Sequence, residues 1–241
     1  MIASLTRTDI VRALSLLGLS AGDIVLCHSS LSSIGRVVGG AAAVVGAIAD
    51  VVDTTGTFVV PTFSGEIDTP FTPDTPTRMG AIPSAVLAWP GRKRSSHPQA
   101  SVAAVGAEAA AICARQPLAY ALGADSPFDE IVRRNGKILL LGVGHNRSSM
   151  LHHSESFVRN HRRKIRRFPV VENGDVVWIE TPDVGNDNDT YFPAVGAEFE
   201  QADDSVRVGW VGAAESRLFD ARRYDRFAQH RLTELRQKGG G

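Results

Sequence analysis

The residues of this sequence whose types and spacing best suit catalysis are His152 and Glu155. They stand three positions apart, so on a helix both side chains would project from one face. A histidine can accept a proton near neutral pH, and a carboxylate on its second ring nitrogen can hold it in the tautomer that does so. Ser149 would share this face, whereas His153 would point about 100° away. The same pattern is also typical of an ordinary capped helix with solvated polar residues, and the spacing alone leaves both interpretations open.

The stretch from residue 137 to residue 155 contains the elements that would position this pair. Residues 138–142 form an apolar run behind the turn signal Asn135-Gly136, which predicts a buried strand. Glycines then end the strand, and Ser148 or Ser149 can cap a short helix. The sequence therefore predicts a strand that delivers a histidine on the element following it.

Strand and helix signals alternate along the remainder of the chain. The patterns predict helices over residues 6–18, 41–52, 81–89, 107–115 and 128–134 and within 216–237. They predict strands over residues 24–27, 57–61, 102–105, 168–171, 176–179 and 206–213. This alternation predicts an α/β fold, a single domain over residues 1–241 with a mixed central sheet flanked by helices. We expect a late hairpin around Asn173-Gly174 to supply antiparallel pairs, and the long loop at 62–80 to be functional.

Composition and length exclude several classes of protein. The 241 residues are 43% hydrophobic and 22% charged, and no apolar run approaches the roughly 20 residues that span a bilayer. The N-terminus lacks a signal-peptide core. Cys27 and Cys113 are isolated from metal-type neighbours, which predicts two buried thiols in a reducing compartment. We therefore expect a cytoplasmic protein without a membrane partner.

The net charge is zero, but the charges are segregated along the chain. Six basic residues fall between Arg159 and Arg167, whereas residues 172–204 contain ten acids and no lysine or arginine. The two segments could pair with each other or face water. Alternatively, one could bind a polyanion and the other a polycation.

A second polar stretch follows the predicted strand at 24–27. His28, Ser29 and Ser30 precede the pair Gly39-Gly40, which opens the predicted helix at 41–52. Backbone amides and the positive dipole at such a helix start suit an anionic phosphate, and the serines can donate further hydrogen bonds. Neither a P-loop nor a dinucleotide-binding glycine pattern is present. A single histidine at a strand end is more often a structural contact than a catalyst.

Ordered blocks of this sequence resemble those of the aminoglycoside 3-N-acetyltransferase family. The resemblance covers roughly residues 24 to 235, and it is the ordered set, not any one block, that is specific. Members use acetyl-CoA to acetylate an amine, and their fold differs from that of the common acetyl-CoA-dependent N-acetyltransferase superfamily. The matching blocks are His28-Ser29-Ser30-Leu31, Gly39-Gly40-Ala41, Met79-Gly80-Ala81, His97-Pro98, Leu139-Leu140-Leu141-Gly142, Leu151-His152 with Glu155, and Leu218-Phe219-Asp220-Ala221.

The resemblance implies a role for each matching position. His152 would be the general base, with Glu155 and Ser149 beside it, the serine standing where the family usually has threonine. An acid after Trp178 would orient the histidine; Asp183 stands at that place, with Asp187 as a rival. His28, Ser29, Ser30, Arg36, Val37, Val38, Met79 and Gly80 would line the coenzyme A site. Asp187 and Asp189 would bind a polycationic amine.

The resemblance also implies an acceptor, the 3-amino group on the 2-deoxystreptamine ring of an aminoglycoside. Relatives often carry an acid and an arginine in the helix after Met79-Gly80, where this sequence has Pro83-Ser84-Ala85-Val86-Leu87. The segment before Asp187 is also compact. A small biosynthetic amine is therefore the alternative acceptor. The chain could also form a homodimer.

Other classes of function rest on fewer residues. A metal hydrolase would use His152, His153, Glu155 and His161, but adjacent histidines on a helix diverge too far to chelate one ion easily. A nucleic-acid-binding protein would use the basic segment, which has few aromatic residues to stack on bases. A protein that binds coenzyme A without catalysis would not need His152. We expect neither a metal nor a nucleic-acid partner.

Overall fold

Seven strands form one mixed sheet in the order β3-β4-β2-β1-β5-β9-β8. The computed structural model describes residues 4–186 and 189–238. Strand β1 runs parallel to its neighbours β2 and β5, and the remaining pairs of the sheet are antiparallel. The strands, with the separate pair β6 and β7, are β1 Ile24–Ser29, β2 Thr57–Pro61, β3 Lys93–Arg94, β4 Val102–Gly106, β5 Lys137–Leu141, β6 Arg163–Glu172, β7 Asp175–Val184, β8 Arg207–Val211 and β9 Ala214–Asp220.

Helices cover both faces of this sheet. The helices are α1 Arg7–Leu17, α2 Leu31–Ile34, α3 Gly40–Val52, α4 Ala81–Leu87, α5 Ala109–Ile112, α6 Pro127–Arg133, α7 Met150–Ser156, α8 Phe192–Ala202 and α9 Ala221–Lys238. One apolar cluster packs α1, α3 and α4 against one face, and a second packs α5 to α9 against the other. No helix in the described part of the chain is long and apolar enough to cross a membrane.

The central strands are apolar throughout because both of their faces are buried. In β1, Leu26 belongs to the cluster under α5 to α9, while Val25 and Cys27 belong to the opposite cluster. In β5, Leu140 belongs to the cluster under α5 to α9 and Leu139 to the opposite cluster. Parallel strands between two helical layers read as continuous apolar runs for this reason. The predicted α/β class and mixed sheet are confirmed.

The late hairpin does not join this sheet. Within the described residues, strands β6 and β7 form a separate two-stranded sheet of ten residues each. The antiparallel pairs of the main sheet come instead from β3, β4, β8 and β9. The hairpin places the basic strand against the first part of the acidic tract, with an ion pair between Arg166 and Asp183. In this part of the chain the basic segment and the acidic segment therefore pair with each other.

The C-terminal third differs most from the sequence prediction. Residues 214–220, which overlap the predicted terminal helix, form strand β9, because that stretch alternates in burial and pairs with both β5 and β8. Helix α8 lies in the acidic tract, where no element was predicted. Its buried residues Phe192, Val195 and Phe199 recur at helical spacing among polar neighbours.

The carboxyl ends of β1 and β5 meet at one edge of the sheet. Ser29 lies beside Leu141 in the parallel register, and the amide of Ser30 donates to the carbonyl of Leu141 at 3.0 Å. The chain then continues from β5 through Gly142 to α7. The two polar stretches singled out in the sequence therefore lie side by side.

Candidate active site

Helix α7 places His152 and Glu155 on one face. Nδ1 of His152 lies 3.3 Å from Oε2 of Glu155, and the two side chains are 12% and 0% exposed. Because a carboxylate only accepts, Nδ1 carries the proton and Nε2 of His152 is left as an acceptor. The His152 ring also packs edge-on against Phe192, with centroids 4.8 Å apart.

The buried Glu155 carboxylate is compensated by a residue from the end of the chain. Arg236 on α9 donates from Nη2 to Oε1 of Glu155, and the Arg236 side chain is 9% exposed. Burying an unpaired carboxylate is unfavourable, and the guanidinium of Arg236 offsets that cost for Glu155. No local pattern in the sequence pointed to Arg236.

His153 faces the opposite way and is buried. Its Nδ1 donates to the carbonyl of Leu122 at 2.7 Å, and its ring packs edge-on against Phe157. The predicted divergence of the two neighbouring histidines is therefore present. His153 belongs to the packing between α7 and the loop that contains Leu122.

His152 opens into a cavity of about 230 Å³, here called the base cavity. The hairpin forms one side of it through Lys164, Arg166 and Asp183. The other side chains that line it are those of Phe63, Met79, Leu122, Asn146, Arg147, Ser149, Val184 and Asn186.

Asp183 lies in the base cavity but does not hold the His152 ring. Its carboxylate accepts from Nε of Arg166 and, at 2.9 Å, from the amide of Val184. The orientation of His152 by Asp183 stays a prediction, and the contacts of Asp183 in the described part of the chain are with the hairpin. The register of the hairpin sets Lys164 opposite Asp183, and both oxygens of Asp183 are engaged on the hairpin itself. Asp187, the rival for this role, lies outside the described residues.

A second cavity, of about 540 Å³, lies at the end of β1 and is here called the serine cavity. His28, Ser29, Ser30 and Met79, four of the residues predicted to bind coenzyme A, line it. The two cavities share Met79, Asn146 and Arg147, so they meet in front of α7. The other lining residues are Cys27, Pro61, Arg78, Pro83, Gly142, Val143 and Gly144.

His28 links the two cavities. The amide of Ser149 donates to Nε2 of His28 at 2.8 Å, which fixes the start of α7 against the end of β1. Burial, and secondarily the proximity of His152, lowers the pKa of His28 to about 3, so the ring is neutral at physiological pH. With Nε2 accepting, the proton lies on Nδ1, which together with the Ser29 hydroxyl has no hydrogen-bond partner among the described residues.

The segment 36–38 does not line the serine cavity, contrary to expectation. The carbonyl of Arg36 accepts from the amide of Leu5, and the amide of Val38 donates to the carbonyl of Leu5, both at 2.8 Å. Val37 bridges to Leu5, while Arg36 and Val38 are exposed. The turn between Gly35 and Gly39 thus pairs with the N-terminal segment. Gly80 is the N-cap of α4 at a φ of 102°, next to the lining residue Met79.

Of the two aspartates expected at the substrate, Asp189 contacts a residue that lines both cavities. Its Oδ1 accepts from Nδ2 of Asn146 at 2.9 Å, and Asn146 lines both the base cavity and the serine cavity. Over residues 4–186 and 189–238, no three His, Cys, Asp or Glu side chains are grouped as metal ligands would be.

Comparison with known proteins identifies the family of the chain. The sequence profile described as aminoglycoside 3-N-acetyltransferase matches residues 26–233 of the chain. The chain belongs to the aminoglycoside 3-N-acetyltransferase family. The predicted resemblance is confirmed, and with it the assignment of the chain as an acyltransferase.

Relatives in the aminoglycoside 3-N-acetyltransferase family match over nearly the full chain. Aminoglycoside N(3)-acetyltransferase IX of Micromonospora chalcea is 34% identical, over 90% of this chain and 89% of the relative. The crystal structure of the YokD protein from Bacillus subtilis superposes with a TM-score of 0.93 at 33% identity, covering 98% of this chain and 96% of YokD. AAC-IIIb, solved as a binary complex with CoASH, superposes with a TM-score of 0.89 at 28% identity, covering 97% and 98%.

Proposed function

We propose that this protein transfers the acetyl group of acetyl-CoA directly to an amine, with His152 as the general base. The observation that carries the proposal is the set formed by His152, Glu155 and Arg236 where the base cavity and the serine cavity meet. Family membership supports acyl transfer, and the geometry supports this particular way of performing it. We propose a single catalytic domain over the whole chain.

His152 supplies what an amine acceptor lacks near neutral pH. An alkyl amine is protonated there and cannot attack until a base removes a proton, a contribution of roughly 10²- to 10⁴-fold in rate. Nε2 of His152 accepts that proton, while Glu155 holds Nδ1 and stabilises the imidazolium that results. Arg236 donates a hydrogen bond to Glu155, and Ser149 forms part of the cavity wall with the base. No nucleophilic serine or cysteine is required, because two reactants held together can react directly.

The residues of the serine cavity fit the donor acetyl-CoA. The buried Nδ1–H of His28 and the hydroxyl of Ser29 are polar groups without partners in the described structure, suited to the amides of the pantetheine arm. Met79 provides apolar contact, and Arg78 and Arg147 on the same wall are suited to phosphates. Acetyl-CoA would supply the activated acetyl group. The relative AAC-IIIb, which binds CoASH, supports this donor.

Two acceptors are candidates. The names of the curated relatives support an aminoglycoside, acetylated at the 3-amino group of the 2-deoxystreptamine ring, with Asp187 and Asp189 contacting its cationic groups. The alternative, a small biosynthetic amine, is favoured by the base cavity, which holds only about 230 Å³ and is lined by Lys164 as well as His152.

The proposal is tested by measuring release of the coenzyme A thiol from acetyl-CoA across a panel of amines. We expect amine-dependent release in the wild type and its loss in His152→Ala. Calorimetry should show that both proteins bind coenzyme A. Absence of coenzyme A binding at millimolar ligand, or full activity in His152→Ala, would overturn the proposal.

A further inference from the structure

The lining of the base cavity includes an ammonium group, that of Lys164, which forms no direct ion pair with a carboxylate in the described chain. Lys164 on β6 is partly buried, and its Nζ donates to the side-chain carbonyl of Asn186 at 2.6 Å. Arg166, two residues along the same strand, differs because its charge is matched by Asp183. Burial and the neighbouring Arg166 lower the pKa of Lys164, and the charges of Asp183 and Glu155 partly offset this by raising it. Because Nζ of Lys164 donates to a neutral amide, Lys164 adds a positive charge to the lining of the cavity that also contains His152.

A second cavity, which shares Lys164 and Arg166 with the base cavity, also has more basic than acidic lining residues. Its volume is about 830 Å³, and it is here called the hairpin cavity. Arg78 and Arg167 also line it, and the acids that line it are Glu66 and Asp68. Basic side chains therefore outnumber acidic ones in the lining of the hairpin cavity and of the base cavity.

The charge of Lys164 would affect which acceptor binds in the base cavity. Two unit charges about 5 Å apart, at the effective dielectric of a partly buried site, change a binding constant by more than tenfold. Repulsion from Lys164 would weaken the binding of an acceptor with an ammonium group there by that factor. Attraction would strengthen the binding of an acceptor with a phosphate or carboxylate by the same factor. Partial burial limits the screening of this interaction by salt.

We propose that the acceptor amine of this protein also carries an anionic group, a phosphate or a carboxylate, which Lys164 binds while the amine lies at His152. The inference rests on the proposed acetyl transfer and narrows its acceptor class. Glu66 and Asp68 in the lining of the hairpin cavity then suit hydroxyl or amine groups on the remainder of a zwitterionic acceptor.

The test compares amines that differ only in the anionic group. Thiol release from acetyl-CoA is measured with glucosamine and glucosamine 6-phosphate, with β-alaninamide and β-alanine, and with sisomicin. We expect at least a tenfold higher kcat/KM for the anionic member of one pair, and the pair that responds identifies phosphate or carboxylate. Equal values within both pairs, or preference for sisomicin, would overturn the inference.

Variants assign the preference to Lys164. Lys164→Gln should lower kcat/KM about tenfold more for the anionic acceptor than for its counterpart without the anionic group, while Lys164→Arg keeps the preference. Arg163→Gln is the matched control, because Arg163 is an exposed residue of the same strand that lines neither cavity. An equal loss in Lys164→Gln and Arg163→Gln would contradict a specific role for Lys164.

A binding measurement separates this inference from the proposed function. Calorimetry with glucosamine 6-phosphate and β-alanine should detect binding of at least one to the wild type, weakened at least tenfold in Lys164→Gln. If that holds and no amine is acetylated, the proposed function fails and the anion site stands. If amines are acetylated without a charge preference and neither anion binds, acetyl transfer stands and the anion site fails.

Discussion

His152 and His153 show how differently two adjacent residues of one type can be placed. The His152 ring lies between Glu155 and an open cavity, with one nitrogen held and the other available. The His153 ring is closed in, with one nitrogen bonded to the carbonyl of Leu122 and the other 3.8 Å from Asp225. A base needs both a support and access to its substrate, and only His152 has both.

Replacing His152 should remove most of the activity, and replacing His153 should not. His152→Ala is expected to lower kcat at neutral pH by about 10²- to 10⁴-fold, with partial recovery at high pH where the amine loses its proton unaided. His153→Asn, which can still donate to the Leu122 carbonyl, should keep most activity. Steady-state kinetics from pH 6 to 10 check both. An inactive His153→Asn protein that is folded, beside an active His152→Ala protein, would reverse the assignment.

The carboxylate that supports the base is identified by a second pair of substitutions. Glu155→Gln should lower kcat by at least about tenfold, because the amide cannot stabilise the imidazolium as the carboxylate does. Asp183→Asn should have a smaller effect on kcat, since Asp183 is bonded to Arg166 rather than to His152.

Coenzyme A affinity and circular dichroism serve as the controls, because Glu155 is fully buried and its substitution leaves Arg236 without this carboxylate. A larger loss of kcat in Asp183→Asn, with both proteins folded, would return the supporting role to Asp183.

At the scale of elements, the site depends on helices that come from late in the chain. Helix α9 delivers Arg236 to Glu155, and α8 delivers Phe192 to the His152 ring. Helix α8 also approaches the turn after β5 closely at Gly196, where an added Cβ would lie 1.9 Å from Cγ of His145. The His145 ring is fixed there by Tyr224 and Glu200, each at 2.7 Å.

Gly196→Ala should therefore destabilise the protein by about 1–3 kcal/mol, although alanine favours helices. The matched control is Gly46→Ala in α3, where the nearest atoms to an added Cβ belong to the end of the flexible Arg7 side chain. That change should cost less than about 1 kcal/mol, since Arg7 can shift and the helix gains propensity. Denaturant unfolding of the two variants measures the difference. Equal stabilities would mean that α8 moves easily away from His145.

At the scale of the whole molecule, stability depends on buried histidines that must stay neutral. Burial is the main cause that lowers the pKa of His28 to about 3 and the pKa of His97 to about 4. His97 accepts from the amides of Gln99 and Ala100 through Nδ1 and bonds the carbonyl of Leu118 through Nε2. In the unfolded chain both rings would titrate near pH 6.5.

The free energy of unfolding should consequently fall as the pH drops from about 6.5 towards 4. In this window the unfolded state binds more protons than the folded state, so each histidine contributes a loss of about 1.4 kcal/mol per pH unit. Above pH 6.5 neither ring adds to the slope. Urea unfolding between pH 7 and pH 4.5 measures it, and His97→Asn should remove about half of the contribution of the pair. A stability that stays constant over this range would show that the two rings are protonated in the folded protein.

Local patterns in the sequence determined β1, β5, α7 and the shared face of His152 and Glu155, because apolar runs and a three-residue spacing are sufficient to specify them. The ordered blocks determined the family in the same way. Strand β9 and the separate hairpin followed instead from pairing between distant strands, which no local pattern contains.

Only the tertiary structure decided which groups meet at the site. Arg236 reaches Glu155 across 81 positions, and the amide of Ser149 reaches His28 across 121. Asp183 and Lys164 were visible as charges in the sequence, but the register of the hairpin decided that Asp183 would pair with Arg166. The same register placed Lys164 in the cavity of the base. Such contacts depend on how whole elements pack, so the local sequence around each partner does not contain them.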